Sequence, residues 1–252
     1  MKKIVILLGL TAFVFVGQVV AAEKGFKSIF DGKTLDGWDG DPKFWSVEDG
    51  SITGKTTKEN PTKGNTFIIW NGGKTGDFDL RLDYKIVGGN SGIQYRSFKL
   101  KNGADKWRVG GYQADIDSGP TFSGICYGEA FRGILSLRGK KTTLTLSDDG
   151  KLKKNEEAFS KDADVAKAIK KEQWNSYRIV ARGYNLTQYI NGVKTTQLID
   201  RDKKTRRTDG LLALQLHAGP PMNVQFKNIR IKELPKRVRK SGGGKKKSKT
   251  EK

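Results

Sequence analysis

The chain has 252 residues, with 48 Lys or Arg against 27 Asp or Glu, a net charge of +21. Hydrophobic residues make up 35% and there are 31 glycines, which together are enough to build a globular core and exclude disorder throughout. A single cysteine, Cys126, allows no intrachain disulfide, and a single histidine, His217, excludes a multi-histidine zinc site.

At the N-terminus, Lys2 and Lys3 precede an apolar run from Ile4 to Val16, and Val20-Ala21-Ala22 supplies the small residues that signal peptidase needs. The pattern predicts a secretory signal over residues 1–22, cleaved after Ala22, and a secreted or periplasmic protein with no transmembrane anchor. The expected domain runs from residue 23 to 234.

Within it, short β-rich segments alternate with Gly, Asn and Asp. Phe78 to Ile86 places Phe78, Leu80, Leu82, Tyr84 and Ile86 against Asp79, Arg81, Asp83 and Lys85, the mark of a half-buried strand. Thr142 to Leu146, Tyr177 to Ala181, Leu186 to Ile190, Leu211 to Leu216 and Val224 to Ile231 read the same way. Glu48-Asp49-Gly50, Asp148-Asp149-Gly150, Asn191-Gly192 and Asp209-Gly210 stand where hairpin turns are needed. One short helix is predicted, from Asp162 to Lys171, with Val165, Ala168 and Ile169 on one side. With no βαβ alternation and no long repeat, these elements imply an all-β, two-sheet jelly roll.

The C-terminal residues 235–252, PKRVRKSGGGKKKSKTEK, set nine Lys or Arg against one Glu. Such a run predicts a disordered basic tail suited to a polyanionic surface. No base-reading motif accompanies it, so a specific nucleic-acid partner is not expected.

The functional signal lies where strands are polar on their second face. Pleat parity puts Gln94 and Arg96 together in GNSGIQYRS, Gln113, Asp115 and Asp117 together in YQADID, and Gln215 and His217 together in LLALQLH. If these faces share a sheet, they line a cleft rich in donors and acceptors for sugar hydroxyls, with Trp107, Tyr95 or Tyr127 to stack on a ring. The alternative is ordinary solvent-facing polarity. Glu129 and Arg132, in GEAFRGIL, either reach the cleft or pair at a loop. No cofactor is expected. Asp115-x-Asp117 carries oxygens of the kind calcium takes, but a lone D-x-D is a weak signal for it.

Eight segments in order (FKSIFDGKTLDGW, FWSVEDGSITG, GNSGIQYRS, GYQADID, SGICYGE, QWN, ING and GLLALQLHAGPPMNVQFKNIRIKEL) resemble the secreted bacterial 3-keto-disaccharide hydrolases over nearly the whole domain. The resemblance implies a concanavalin A-like jelly roll and cleavage of 3-keto-glycosides, and it falls most clearly on Gln94, Arg96, Gln113, Asp115 and His217. The family often has Glu where Gln113 stands, which argues against a role that needs a carboxylate there. A ketone at C3 acidifies the C2 proton, so the chemistry needs a base, His217 or Asp115, and donors for the enolate oxygen, Arg96 and Gln94. A dicarboxylate glycosidase using Asp115 and Asp117 is the orthodox alternative, but the Glu-x-Asp-x-Glu pattern of sandwich glucanases is missing. A non-catalytic carbohydrate-binding sandwich using the same face is the other.

Overall fold

The computed structural model describes residues 23–101 and 105–235. The expected signal segment lies outside the described residues, as does the basic tail from residue 236 onward. Among the described residues no helix is long and apolar enough to cross a membrane.

In chain order the elements are β1 (Lys27–Ser28), β2 (Trp38–Asp39), β3 (Trp45–Glu48), β4 (Ser51–Thr56), β5 (Thr66–Trp70), β6 (Phe78–Val87), β7 (Asn90–Lys99), β8 (Val109–Asp117) and β9 (Cys126–Glu129). They continue with β10 (Gly133–Ser136), β11 (Lys140–Leu146), β12 (Leu152–Ala158), α1 (Asp162–Ala166), β13 (Asn175–Arg182), β14 (Asn185–Ile190), β15 (Val193–Asp200), β16 (Leu211–Leu216) and β17 (Met222–Glu233). Among the described residues they form two sheets. The ten-stranded one runs β12-β11-β15-β14-β13-β6-β17-β4-β3 with β1 also on β17, and the seven-stranded one runs β10-β9-β8-β7-β16-β5-β2. Among the described residues only the β11–β15 pair is parallel. This is the expected two-sheet, all-β sandwich.

The sheets face each other across one apolar layer. Phe78, Leu80, Leu82, Tyr84 and Ile86 of β6 are buried on one side, and Ile93, Ala114, Ile116, Leu212, Leu214 and Leu216 on the other. Each Leu, Ile or Phe among them contributes about 1.5–3 kcal/mol by leaving water. In β17, Val224 and Phe226 are buried at even positions and Ile229 and Ile231 at odd ones. The change is made by a bulge between Lys227 and Arg230, where Asn228 has φ 53°. Without that extra residue the second half of the strand would turn its isoleucines to solvent.

Two local expectations change. The helix is shorter than Asp162 to Lys171, because after Ala166 the chain tightens into i→i−3 bonds from Ala168 to Val165 and from Ile169 to Ala166. Asn191-Gly192 does turn the β14–β15 hairpin, with φ 49° and 81° as a type I′ turn requires. Asp209-Gly210, in contrast, is no hairpin turn, since it leads the chain from β15 in one sheet to β16 in the other. There a Cβ on Gly210 would stand 2.4 Å from the carbonyl carbon of Arg96, so glycine serves a close backbone approach.

Candidate functional site

The outer face of the seven-stranded sheet carries a row of amides and carboxylates. Register sets Gln94 opposite Gln113 and Gly92 opposite Asp115 across β7 and β8, with Ala213 of β16 on the other side of Gln94. Gly92 is what lets the row close up. A Cβ there would lie 2.5 Å from both Cγ and Cδ of Gln113, so the missing side chain is the space through which Gln113 reaches Asp115.

Hydrogen bonds tie the row into one network. Ser97 Oγ donates to Gln94 Oε1 at 2.7 Å, and Gln94 Nε2 to Gln113 Oε1 at 2.6 Å. Gln113 Nε2 then donates to Asp115 Oδ1 at 2.6 Å and to Gln215 Oε1 at 3.3 Å. Gln215 Nε2 reaches Glu129 Oε2 at 3.2 Å, and Asn65 Nδ2 donates to the other oxygen of Glu129 at 3.0 Å. Each amide has one direction of use, so the network orients both carboxylates at once.

Asp115 and His217 both line the open side of this network, in a cavity of about 430 Å³ whose walls also include Glu129, Asn65, Tyr127 and Phe122. Burial pushes the Asp115 carboxyl up to about 7, overcoming the amide bonds from Gln113 and Asn90, with the charges of Asp117 and Glu129 adding to the rise. Its partners are neutral amides, Gln113 and Asn90, the latter at 3.1 Å. His217 follows Leu216 at the end of β16 and points Nδ1 at the Ala218 carbonyl. A carbonyl can only accept, so Nδ1 carries a proton, and Nε2 is the position at which this ring can act as a base. The Ala218 N–H is fixed in turn by Asn65 Oδ1 at 3.0 Å.

Not every expected residue belongs here. Arg96 does not share a face with Gln94. It sits in the bulge between Tyr95 and Phe98 with φ 49°, and Ser97 takes the place beside Gln94 instead. The Arg96 guanidinium is fully buried, paired with Asp77 at 3.0 Å and bonded to the carbonyls of Gly76 and Gly183. Tyr95 is also fully buried, in the core, with its hydroxyl between Cys126 and Gln188, so it cannot stack on a sugar. Arg132 turns away to pair with Asp200 and Asp202. Trp107 lies in a neighbouring groove, its Nε1 donating to Asp39 at 2.7 Å. Gln94 and Gln215 have no exposed surface and hold the network from beneath rather than touching a ligand.

Asp117 is on the cavity wall, but its oxygens accept the N–H groups of Gly119 and Phe122 and so fold the loop that follows β8. With the Asp115 oxygens engaged by amides and those of Asp117 by backbone, the D-x-D oxygens are committed to protein donors. Among the described residues no group of three or more His, Cys, Asp or Glu is placed to hold a metal. Glu129 and Tyr127 do reach the cavity. Asn65, Asn90, Phe122 and Ile134 line it without having been singled out in the sequence. Phe122 and Ile134 are 43% and 38% exposed, and apolar surface left open beside a polar network is the one feature that marks them.

Comparison with known proteins agrees with this architecture. A Bacteroides thetaiotaomicron protein named 3-keto-disaccharide hydrolase is 39% identical over 90 residues, covering 31% of this chain and 29% of that protein. The chain thus matches less than a third of that relative's length. A Parabacteroides distasonis crystal structure, provisionally named a glycosyl hydrolase, superposes with a TM-score of 0.53 at 21% identity, covering 83% of this chain and 99% of that one. The Crh5 transglycosylase in complex with NAG superposes with a TM-score of 0.50 at 13% identity, over 84% and 85% of the two chains. At these identities the two structures share the fold alone. The profile of one family matches residues 25–232, the whole sandwich, and the chain belongs to that family, the 3-keto-alpha-glucoside-1,2-lyase-like domains.

Proposed function

We propose that the protein cleaves 3-keto-glycosides by removing the C2 proton, expelling the C1 substituent and adding water. One observation carries this reading: a carboxyl pushed up to about 7 and an imidazole with a free Nε2 open into the same cavity. His217 Nε2 takes the C2 proton, and the electron pair left behind moves into the C3 ketone as an enolate. When the ketone re-forms, the C1–O bond breaks, and Asp115 gives its proton to the departing oxygen. Water then adds at C1 and gives up a proton to the Asp115 carboxylate while the imidazolium returns its proton to C2, which restores both groups and gives net hydrolysis.

With Arg96 engaged in the interior, neutral donors serve the enolate oxygen. The Tyr127 hydroxyl and the amides of Asn65 and Asn90 are the ones on the cavity wall. Tyr127 and Phe122 supply apolar surface for the ring. The non-catalytic sugar-binding reading uses the same wall, and one experiment separates the two. The chain is incubated with a 3-keto-glucoside and with the parent glucoside. Turnover of the keto sugar that disappears in His217→Ala is the expected result. Saturable binding without turnover overturns it in favour of a binding module, and cleavage of the unoxidised glucoside overturns it in favour of a dicarboxylate glycosidase.

Export belongs to the same reading and predicts a mature chain beginning at Glu23. Recovery of the protein from the producing cells with residues 1–22 still attached would refute it.

A further inference from the structure

Beside the cavity lies a second groove, of about 580 Å³, which shares Asn65 with it and has no part in the chemistry above. Four cations line it, Lys43, Lys63, Lys106 and Arg108, against two carboxylates, Asp41 and Asp105. Both carboxylates already accept backbone N–H groups, Asp41 from Lys43 at 3.0 Å and Asp105 from Trp107 at 2.8 Å. None of the four cations forms an ion pair among the described residues. Phe44 and Trp107 form apolar walls, and the Lys106 ammonium lies 4.4 Å over the Trp107 ring.

The lining also holds three buried polar atoms with no hydrogen-bond partner: Thr62 Oγ1, Thr66 Oγ1 and Arg108 Nε. Thr66 is 3% exposed, so water does not reach it freely. These atoms lie behind the groove surface, so what a ligand meets there is the four unpaired cations beside the Phe44 and Trp107 walls.

We propose that this groove is a second subsite that receives the leaving-group sugar and selects one carrying an anionic group. Asn65 joins the two sites: it fixes Glu129 in the first and stands in the wall of the second, so a disaccharide spanning them has its scissile bond near Asp115 and its charge among the lysines. The proposal rests on the glycosidase reading only for which sugar sits where. Its test needs no turnover.

The full chain is titrated calorimetrically with an unoxidised disaccharide of glucose and glucuronate, and with the same disaccharide carboxyl-reduced. One charge-assisted contact is worth about tenfold in affinity, so the acidic sugar should bind about tenfold more tightly. That preference should fall to about twofold or less in Lys63→Gln/Arg108→Gln and survive in His217→Ala. Equal affinity for the two sugars in the unaltered chain overturns the proposal. So does a preference that survives the double variant, which would move the anion contact to the basic tail. Should the double variant lose its cooperative melt, Lys63→Gln alone, at an exposed position, gives the same reading with a smaller expected change. Lack of turnover on a 3-keto-glycoside with the preference intact would remove the catalytic reading and leave this one standing.

Discussion

Asp79 and Asp115 occupy corresponding places on the outer faces of the two sheets and are nearly equally covered, at 6% and 5% exposure, yet their carboxyls are driven in opposite directions. Burial works against charge at both, and Asp115 has more protein packed around it. Asp79 meets two guanidinium groups, Arg178 at 2.7 Å and Arg81 at 3.2 Å, and these hold it below its ordinary range. Asp115 meets only the amides of Gln113 and Asn90 and rises to about 7. On the ten-stranded sheet buried charge is neutralised and serves structure. Asp115, on the seven-stranded sheet, is oriented without a counter-charge, which leaves a proton available near neutral pH.

The largest effect expected from disturbing this difference is Asp115→Asn, which keeps the shape and removes the proton. It should lower kcat on a 3-keto-glucoside by about 100- to 10,000-fold in steady-state assays. In the intact protein, kcat/KM should fall on the alkaline side of a limb near pH 7, where Asp115 loses its proton.

Stability should follow the same split. Asp115 is raised from 3.8 to about 7 in the folded state, so between those values the native chain binds more protons than the unfolded one and loses stability as pH rises. The loss amounts to roughly 4 kcal/mol at 1.36 kcal/mol per pKa unit, and Asp115→Asn should flatten the slope in urea melts at pH 4, 5.5 and 7. Asp79 acts with the opposite sign. Its contribution is present above the ordinary carboxylate range and disappears as pH falls through its lowered value.

Smaller effects come from the surroundings. Gly92→Ala forces a methyl group against a Gln113 side chain fixed by Gln94, Asp115 and Gln215, and should cost about 1–3 kcal/mol in denaturant melts. Arg178→Ala should cost only about 0.2–1 kcal/mol by the same measurement, because that side chain is 43% exposed and Asp79 keeps Arg81.

The layer structure was legible because side-chain alternation is local. Phe78 to Ile86 announces its buried face residue by residue, and the parity that joins Gln113 and Asp115 to His217 could be counted along two strands. Bulges were not legible. Arg96 takes a left-handed backbone conformation that nothing in YRSF requires, and that single residue replaces an expected cation with Ser97. Asp209-Gly210 has the composition of a hairpin, but the glycine is needed for contact with a strand more than a hundred residues earlier. Asn65 and Glu129 meet across 64 positions, a pairing that only the assembled sheet defines.

The network is built almost wholly on strands, whereas Phe122 belongs to the loop that Asp117 pins to the end of β8. In the proposed reading the acid therefore stands on a strand, while Phe122, part of the apolar surface offered to the sugar ring, stands on a loop. If that reading holds, a change in the length or aromatic content of the loop would alter which glycosides enter without moving Asp115 or His217.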